Sequence, residues 1–324
     1  MHPAKAGMMI FMLFWMWVLF THPQRDQQPP FPLNLFAQAK TEDFIGEKEC
    51  ASCHRAQVES FERSAHAAYV HSPRLPIDKR GCEACHGPGN IHLEDERNPA
   101  KVMSFKKAPS AAVATACLRC HAETMHMTQW KRTSHAQHGI ACTSCHQIHR
   151  SAEQRLPIEP NRLTAFPATA ASLSFEQYML KGDPVSLCSQ CHQKEAAEFR
   201  MNFHHPLPEG RMICSDCHEV HPDQASGKRS HPQKGSCATC HADAAGPFTF
   251  AHDPVVGGTG EECGECHRPH GSNNPRLLKT FSRGLCAQCH TDKASTHNPG
   301  QTCWTAGCHV AVHGSNTDPL LRTP

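Results

Sequence analysis

Cys263-Gly264-Glu265-Cys266-His267-Arg268-Pro269-His270 is the stretch that decides how this chain is read. Two cysteines three positions apart are followed at once by a histidine, the pattern C-x-x-C-H. At that spacing both thiols can form thioethers with the vinyl groups of one haem, and the adjacent histidine lies under the iron as its proximal ligand. Working outward, the same pattern occurs at Cys50/Cys53/His54, Cys82/Cys85/His86, Cys117/Cys120/His121, Cys142/Cys145/His146, Cys188/Cys191/His192, Cys214/Cys217/His218, Cys237/Cys240/His241 and Cys286/Cys289/His290. A tenth site is stretched to C-x4-C-H, with Cys303, Cys308 and His309, and its insert Trp304-Thr305-Ala306-Gly307 must loop out to keep both sulfurs at the vinyls. All 20 cysteines are thereby used, leaving none for a disulfide or a nucleophile. C-x-x-C alone would also suit zinc or a redox pair. With 27 histidines in 324 residues, however, ten histidines following ten cysteine pairs by chance has odds on the order of 10⁻¹¹. Ten covalently attached c-type haems are therefore expected.

The chain begins Met-His-Pro-Ala-Lys-Ala-Gly and runs into an apolar stretch from Met8 to Phe20. A basic start before about a dozen apolar residues is a secretory pattern, too short for an ordinary membrane span. Ala37-Gln38-Ala39 fits a cleavage rule but lies far from the apolar run, so residues 1–39 are read as a signal peptide or an uncleaved N-terminal anchor. Either way the remainder, residues 40–324, is exported, as covalent haem attachment requires. Mean hydropathy is −0.53, with only 2 tyrosines and as many as 25 prolines and 20 glycines. Such a chain builds a weak core by itself, so porphyrin must supply much of the buried apolar area. The expected fold is a multihaem cytochrome: loops and short α-helices around a stacked chain of haems, little or no β-sheet, and an elongated body. The formal charge of +2 omits the haems. About twenty propionates, with about one positive charge on each of ten ferric haem cores, would bring the oxidised holoprotein to about −8. Lys and Arg are then propionate partners rather than a nucleic-acid patch, and no nucleic-acid partner is expected.

The remaining histidines recur in a pattern. Odd-numbered motifs are followed by a free histidine before the next motif: His66, His135, His205, His252 and His297. Even-numbered motifs carry one just downstream: His92, His149, His221, His270 and His313. The chain therefore reads as five two-haem repeats, about 45–110, 111–180, 181–232, 233–280 and 281–324, and repetition of this kind predicts a quasi-linear array. Ten such histidines match ten irons, so every haem is expected to be bis-histidine ligated. For any single one the competing reading is a surface histidine. His138 is an alternative to His135, and His204 to His205, whereas His2, His22, His71, His126 and His231 are read as non-ligands. A histidine three residues after a proximal histidine cannot easily reach the opposite face of the same macrocycle, so it should ligate a neighbouring haem. Methionines recur at no fixed offset and are discounted as ligands.

Arg63-Ser64-Ala65-His66-Ala67, Gly81-Cys82-Glu83-Ala84-Cys85-His86-Gly87-Pro88-Gly89, Cys214-Ser215-Asp216-Cys217-His218, the segment 266–272 with Leu278-Lys279-Thr280 after it, and Val312-His313-Gly314-Ser315-Asn316 together resemble the periplasmic decahaem cytochromes of the MtrA/DmsE type. The resemblance covers roughly residues 45–321, and the stretched tenth motif departs from it. It implies bis-histidine ligation at the matching histidines and a place in the periplasm, associated with the outer membrane. It also implies a conduit role. The chain would be threaded into an outer-membrane β-barrel porin, fed by periplasmic or inner-membrane electron donors, and would deliver to an extracellular multihaem cytochrome or terminal reductase. A soluble periplasmic shuttle or store, a subunit of an extracellular cytochrome filament and a multihaem reductase are the competing readings. The last needs an open iron position, which ten distal candidates for ten irons do not leave, so no catalytic residue is named.

Overall fold

The structure is a computed structural model that describes residues 33–95, 101–149, 179–221, 234–298 and 300–324. The apolar N-terminal run and His2, His22 and His231 lie outside the described residues. Helices dominate and most are one or two turns long, such as Glu47–Cys53, Arg55–Phe61, Ala65–Val70 and Gln193–Glu198. The longest among the described residues, Ser110–Thr124, has 15 residues and contains the third motif. Isolated helices shorter than about 12–15 residues are marginal in water, so these turns persist only where something outside them ties them down. No helix among the described residues is long and apolar enough to cross a membrane.

Each motif makes a local turn of the same kind. The histidine N–H of the second motif donates to the carbonyl of Cys82, and the same bond recurs from His121's neighbours onward as His146 to Cys142, His192 to Cys188, His218 to Cys214, His241 to Cys237, His267 to Cys263 and His290 to Cys286. This i to i−4 bond brings both cysteines and the histidine to one side of a single turn. The C-x4-C-H site achieves closure differently: His309 N–H donates to Cys303 O across the insert, and Trp304 packs edge-on against Phe281 at 6.3 Å.

Among the described residues, β-structure is confined to two-residue strands and to isolated bridges at His146–Leu180 and His267–Leu278. β1 (Phe203–His204) pairs antiparallel with β3 (Gly271–Ser272), and β2 (Phe250–Ala251) pairs antiparallel with β4 (Gly314–Ser315). Both ladders have the same composition: the residues just before His205 or His252 pair with the Gly-Ser just after His270 or His313. The serines then close a turn. Ser272 Oγ accepts from Asn274 N–H, and Ser315 Oγ accepts from Thr317 and Asp318 N–H. Glycine is required in the strands. A Cβ on Gly271 would collide with the Glu198 carbonyl oxygen, and one on Gly314 with the Phe248 ring.

The apolar core is small and lies towards the N-terminal side. Phe61, Ala67, Val70 and Ala84 form one cluster against Ile148, and Met103, Ala112, Val113 and Ala116 another, flanked by Leu35 and Phe105. Two polar side chains stitch this region. Buried Glu83 accepts from the backbone N–H groups of Ile45, Gly46 and Gly89. Arg119 reaches the Asp78 carboxylate and the carbonyls of Asp78 and Ala84, with its guanidinium over the Phe36 ring. Among the described residues beyond 178, buried apolar side chains such as Leu207, Val255, Leu278 and Ala311 stand apart and form no such cluster. Chain made without covalent haem attachment should consequently be protease-sensitive, with 179–324 cleaved before 33–149. Limited proteolysis read by mass spectrometry checks the order, and uniform cleavage would contradict it.

Candidate haem sites

None of the 20 cysteines forms a disulfide, and all are among the described residues. They meet in a regular order. The first cysteines of motifs one and two, Cys50 and Cys82, lie beside each other, as do Cys117 with Cys142, Cys188 with Cys214, Cys237 with Cys263 and Cys286 with Cys303. Between these couples the second cysteine of each even-numbered motif approaches the next motif: Cys85 feels Cys120, Cys145 feels Cys188 and then Cys191, Cys217 feels Cys240 and Cys266 feels Cys289. The motifs therefore follow one another in space in chain order, with alternating junctions. Burial raises the Cys85 thiol to about 11, as expected for a sulfur enclosed in apolar surroundings.

The histidines show a second order. Ten histidine ring pairs are present among the described residues, and each joins a motif histidine to a histidine outside the motifs. His54 faces His92 at 6.4 Å between ring centres, His121 faces His66 at 5.8 Å, and His86 faces His149 at 6.2 Å. His192 faces His135 at 6.1 Å, His146 faces His221 at 5.9 Å, and His241 faces His205 at 6.2 Å. His218 faces His270 at 6.0 Å, His290 faces His252 at 6.2 Å, His267 faces His313 at 6.2 Å, and His309 faces His297 at 6.3 Å.

That spacing fits an iron between the rings. Two metal–imidazole bonds of about 2 Å, with about 1.1 Å from each bonding nitrogen to its ring centre, separate the centres by about 6.2 Å. The ring hydrogen bonds fit as well. A carbonyl oxygen only accepts, so a ring nitrogen bonded to one carries the proton. Nδ1 of His86, His267 and His309 donates to the carbonyls of Met103, Arg276 and Leu320. Nδ1 of His149, His205 and His252 donates to those of Gln57, Pro269 and Val312. Nε2 is thereby left as the lone-pair nitrogen, available to bind metal. Nδ1 of His66 is buried without a partner. Burial also lowers the pKa values of His66, His86, His121, His135, His252, His267 and His313, and brings His221 to about 4. These rings are held neutral, the form that binds metal.

The pairs are not formed by sequence neighbours. His149, three residues after His146, faces His86 of the second motif. In the same way the histidines after motifs six, eight and ten face the motif histidines two motifs earlier. The free histidines after motifs one, three, five and seven face the motif histidines two motifs later. Two histidines would then lack a partner, and they close the ends: His92 turns to His54, and His297 to His309. The rival candidates are engaged elsewhere. His204 is bonded to Met201 O and to Glu209, which raises its pKa, and His138 donates to Ser134 O. His71 lies between the carboxylates of Glu47 and Glu62, at 3.0 and 3.5 Å. Sequence reasoning missed the hydrogen-bond partners of the rings, because backbone carbonyls leave no mark in residue type.

Residues 252–295 match the family described as a doubled CXXCH motif, and residues 82–166 match the one described as cytochrome c-type protein NrfB-like. Multiheme cytochrome MtrA of Shewanella baltica (strain OS185) is 30% identical over 190 residues, 58% of this chain. The match spans only half of that relative's length, 50%. Together with the motifs, these likenesses make the chain a multihaem c-type cytochrome with covalently attached haem, related to MtrA.

The strand glycines give a direct check on the site's frame. Gly271→Ala should cost roughly 3 kcal/mol, because the new methyl meets the Glu198 carbonyl, which is held by the Met201 N–H. Gly235→Ala, where nothing lies within 4 Å, should be neutral. Thermal unfolding of the two variants compares them, and equal midpoints would contradict the close approach.

Proposed function

We propose that this chain is an electron conduit that carries ten c-type haems, each held by one of the ten histidine ring pairs. The observation that carries the reading is the pairing itself. Ten motif histidines face ten other histidines, one to one, at a spacing that suits a ligated iron. When bound, each haem supplies a one-electron Fe(III)/Fe(II) couple, and bis-histidine ligation favours low potentials.

The chain's own residues do the rest. The cysteines of adjacent motifs would hold successive haems next to one another in chain order, which supports an unbranched path. At each junction between two-haem units, the units exchange ligands. His149 crosses back to the second site while His66 crosses forward to the third, and the same exchange recurs with His221 and His135, His270 and His205, and His313 and His252. The two short ladders clamp the last two exchanges. Ligation, rather than an apolar core, then couples each unit to the next, and the end sites are closed locally by His92 and His297. All ten irons would have both axial positions filled, which favours electron transfer over chemistry at an open iron.

The related MtrA, with the secretory start of the chain, supports passage between periplasmic carriers and the cell exterior through an outer-membrane β-barrel. An extracellular multihaem cytochrome or terminal reductase would be the partner beyond it. Purification from detergent-solubilised outer membrane tests this. A barrel should accompany the cytochrome, and a cytochrome that emerges alone would replace the conduit by a periplasmic shuttle or store.

Ligand exchange makes a specific prediction. His149→Ala should leave ten haem masses on the chain, yet convert about one haem in ten from low-spin to high-spin, at the second motif rather than the fourth. EPR with mass spectrometry reads both quantities. A wholly low-spin spectrum would remove His149 from the ligand set.

A further inference from the structure

Behind one ring pair stands a carboxylate. Six of the paired histidines donate Nδ1–H to neutral backbone carbonyls, whereas His270 Nδ1 lies 3.1 Å from the Glu198 carboxylate oxygen Oε2. We propose that Glu198 is a redox-tuning residue, whose hydrogen bond to the His270 ring holds the sixth haem at a lower potential than its neighbours. The inference rests on the ligation reading above, in which His270 and His218 bind that iron.

A carboxylate acceptor draws the Nδ1 proton more strongly than a carbonyl does, and so makes Nε2 the more basic ligand. A more basic ligand stabilises Fe(III) over Fe(II). The negative charge behind the ring acts in the same direction, with little screening, since the Glu198 and His270 side chains keep only 21% and 26% of their exposure. The contact is built from three sides. Glu198 is the last residue of the Gln193–Glu198 helix, which starts directly after the fifth motif. Gly271, next to His270, lets the Glu198 backbone come closer than any side chain would allow. The Phe199 ring packs against His270 at 5.2 Å and covers the ring edge. Glu195 on the same helix is a weaker counterpart. It lies 3.8 Å from His192 Nδ1, beyond hydrogen-bond range, and that ring is 57% exposed. Because the motifs follow one another in chain order, the sixth site is interior. A low-potential site there is a step that electrons cross rather than occupy, so that charge accumulates on either side of it.

The test is a potentiometric titration of the holoprotein followed by absorbance and EPR, with Glu198→Gln beside the unmodified chain. Glutamine keeps the size and an acceptor oxygen but removes the charge. One haem should become at least tenfold more reduced at a fixed potential, a rise of about 59 mV or more, and one low-spin EPR signal should shift. The other nine should stay in place, and Glu195→Gln should leave the sixth haem unmoved. Glu198→Asp, which keeps the charge, should fall between, and it serves if the glutamine variant fails to assemble. Unchanged potentials and EPR in both Glu198 variants would overturn the proposal. His270→Ala separates the two layers. One new high-spin haem with silent Glu198 variants sinks the tuning alone, whereas no new high-spin haem sinks the ligation reading at this site and the tuning with it.

Discussion

The contact on which the rest of this molecule depends is a pair of imidazole rings about 6 Å apart, contributed by distant parts of the chain. One ring is anchored by the turn of its own C-x-x-C-H motif. The other arrives from a segment two motifs away. Two rings so placed fix the relative positions of those segments, and ten such pairs along the chain fix most of the path. Few alternatives exist for this task. Helices of one or two turns do not stand alone, and the apolar clusters around Phe61 and Val113 reach only the N-terminal part. Where the backbone must be held directly, two-residue ladders do it, at the glycines where side chains would be excluded.

Crosswise pairing also separates histidines that share a composition but not a role. His204 and His205 are adjacent, yet one ring is taken by Glu209 and the other faces His241. His71, left over from the pairs, lies between the carboxylates of Glu47 and Glu62. Burial lowers the pKa of eight of the paired histidines, whereas His204 is bonded to a carboxylate and His138 to the carbonyl of Ser134.

The same arrangement gives the proposed conduit its directionless, unbranched character. Thiol contacts alternate between first and second cysteines, so each site has one neighbour on each side. Differences between sites must then come from the surroundings of the rings rather than from ligand type, since all ten pairs are histidine with histidine. The stretched tenth motif alters the attachment loop without altering the pair, because His309 still turns to His297 and still donates to a carbonyl.

From the sequence alone one could read that haem is bound, expect it at the cysteine pairs and the histidines beside them, and see that ten further histidines recur with the motifs. That information is local: a thioether and a proximal ligand need only five consecutive residues. The sparse, loop-rich fold was legible for a related reason, since so little apolar residue content cannot build layers of long elements. Which histidine faces which was not legible, because it depends on how segments tens of residues apart cross in space. His92 and His297 close the two ends, a role that exists only once the exchange between neighbours is complete. The carboxylate behind His270 was likewise invisible. Glu198 is one acidic residue among many until Gly271 lets its backbone approach, and close approach of backbone is decided by tertiary packing, not by residue order.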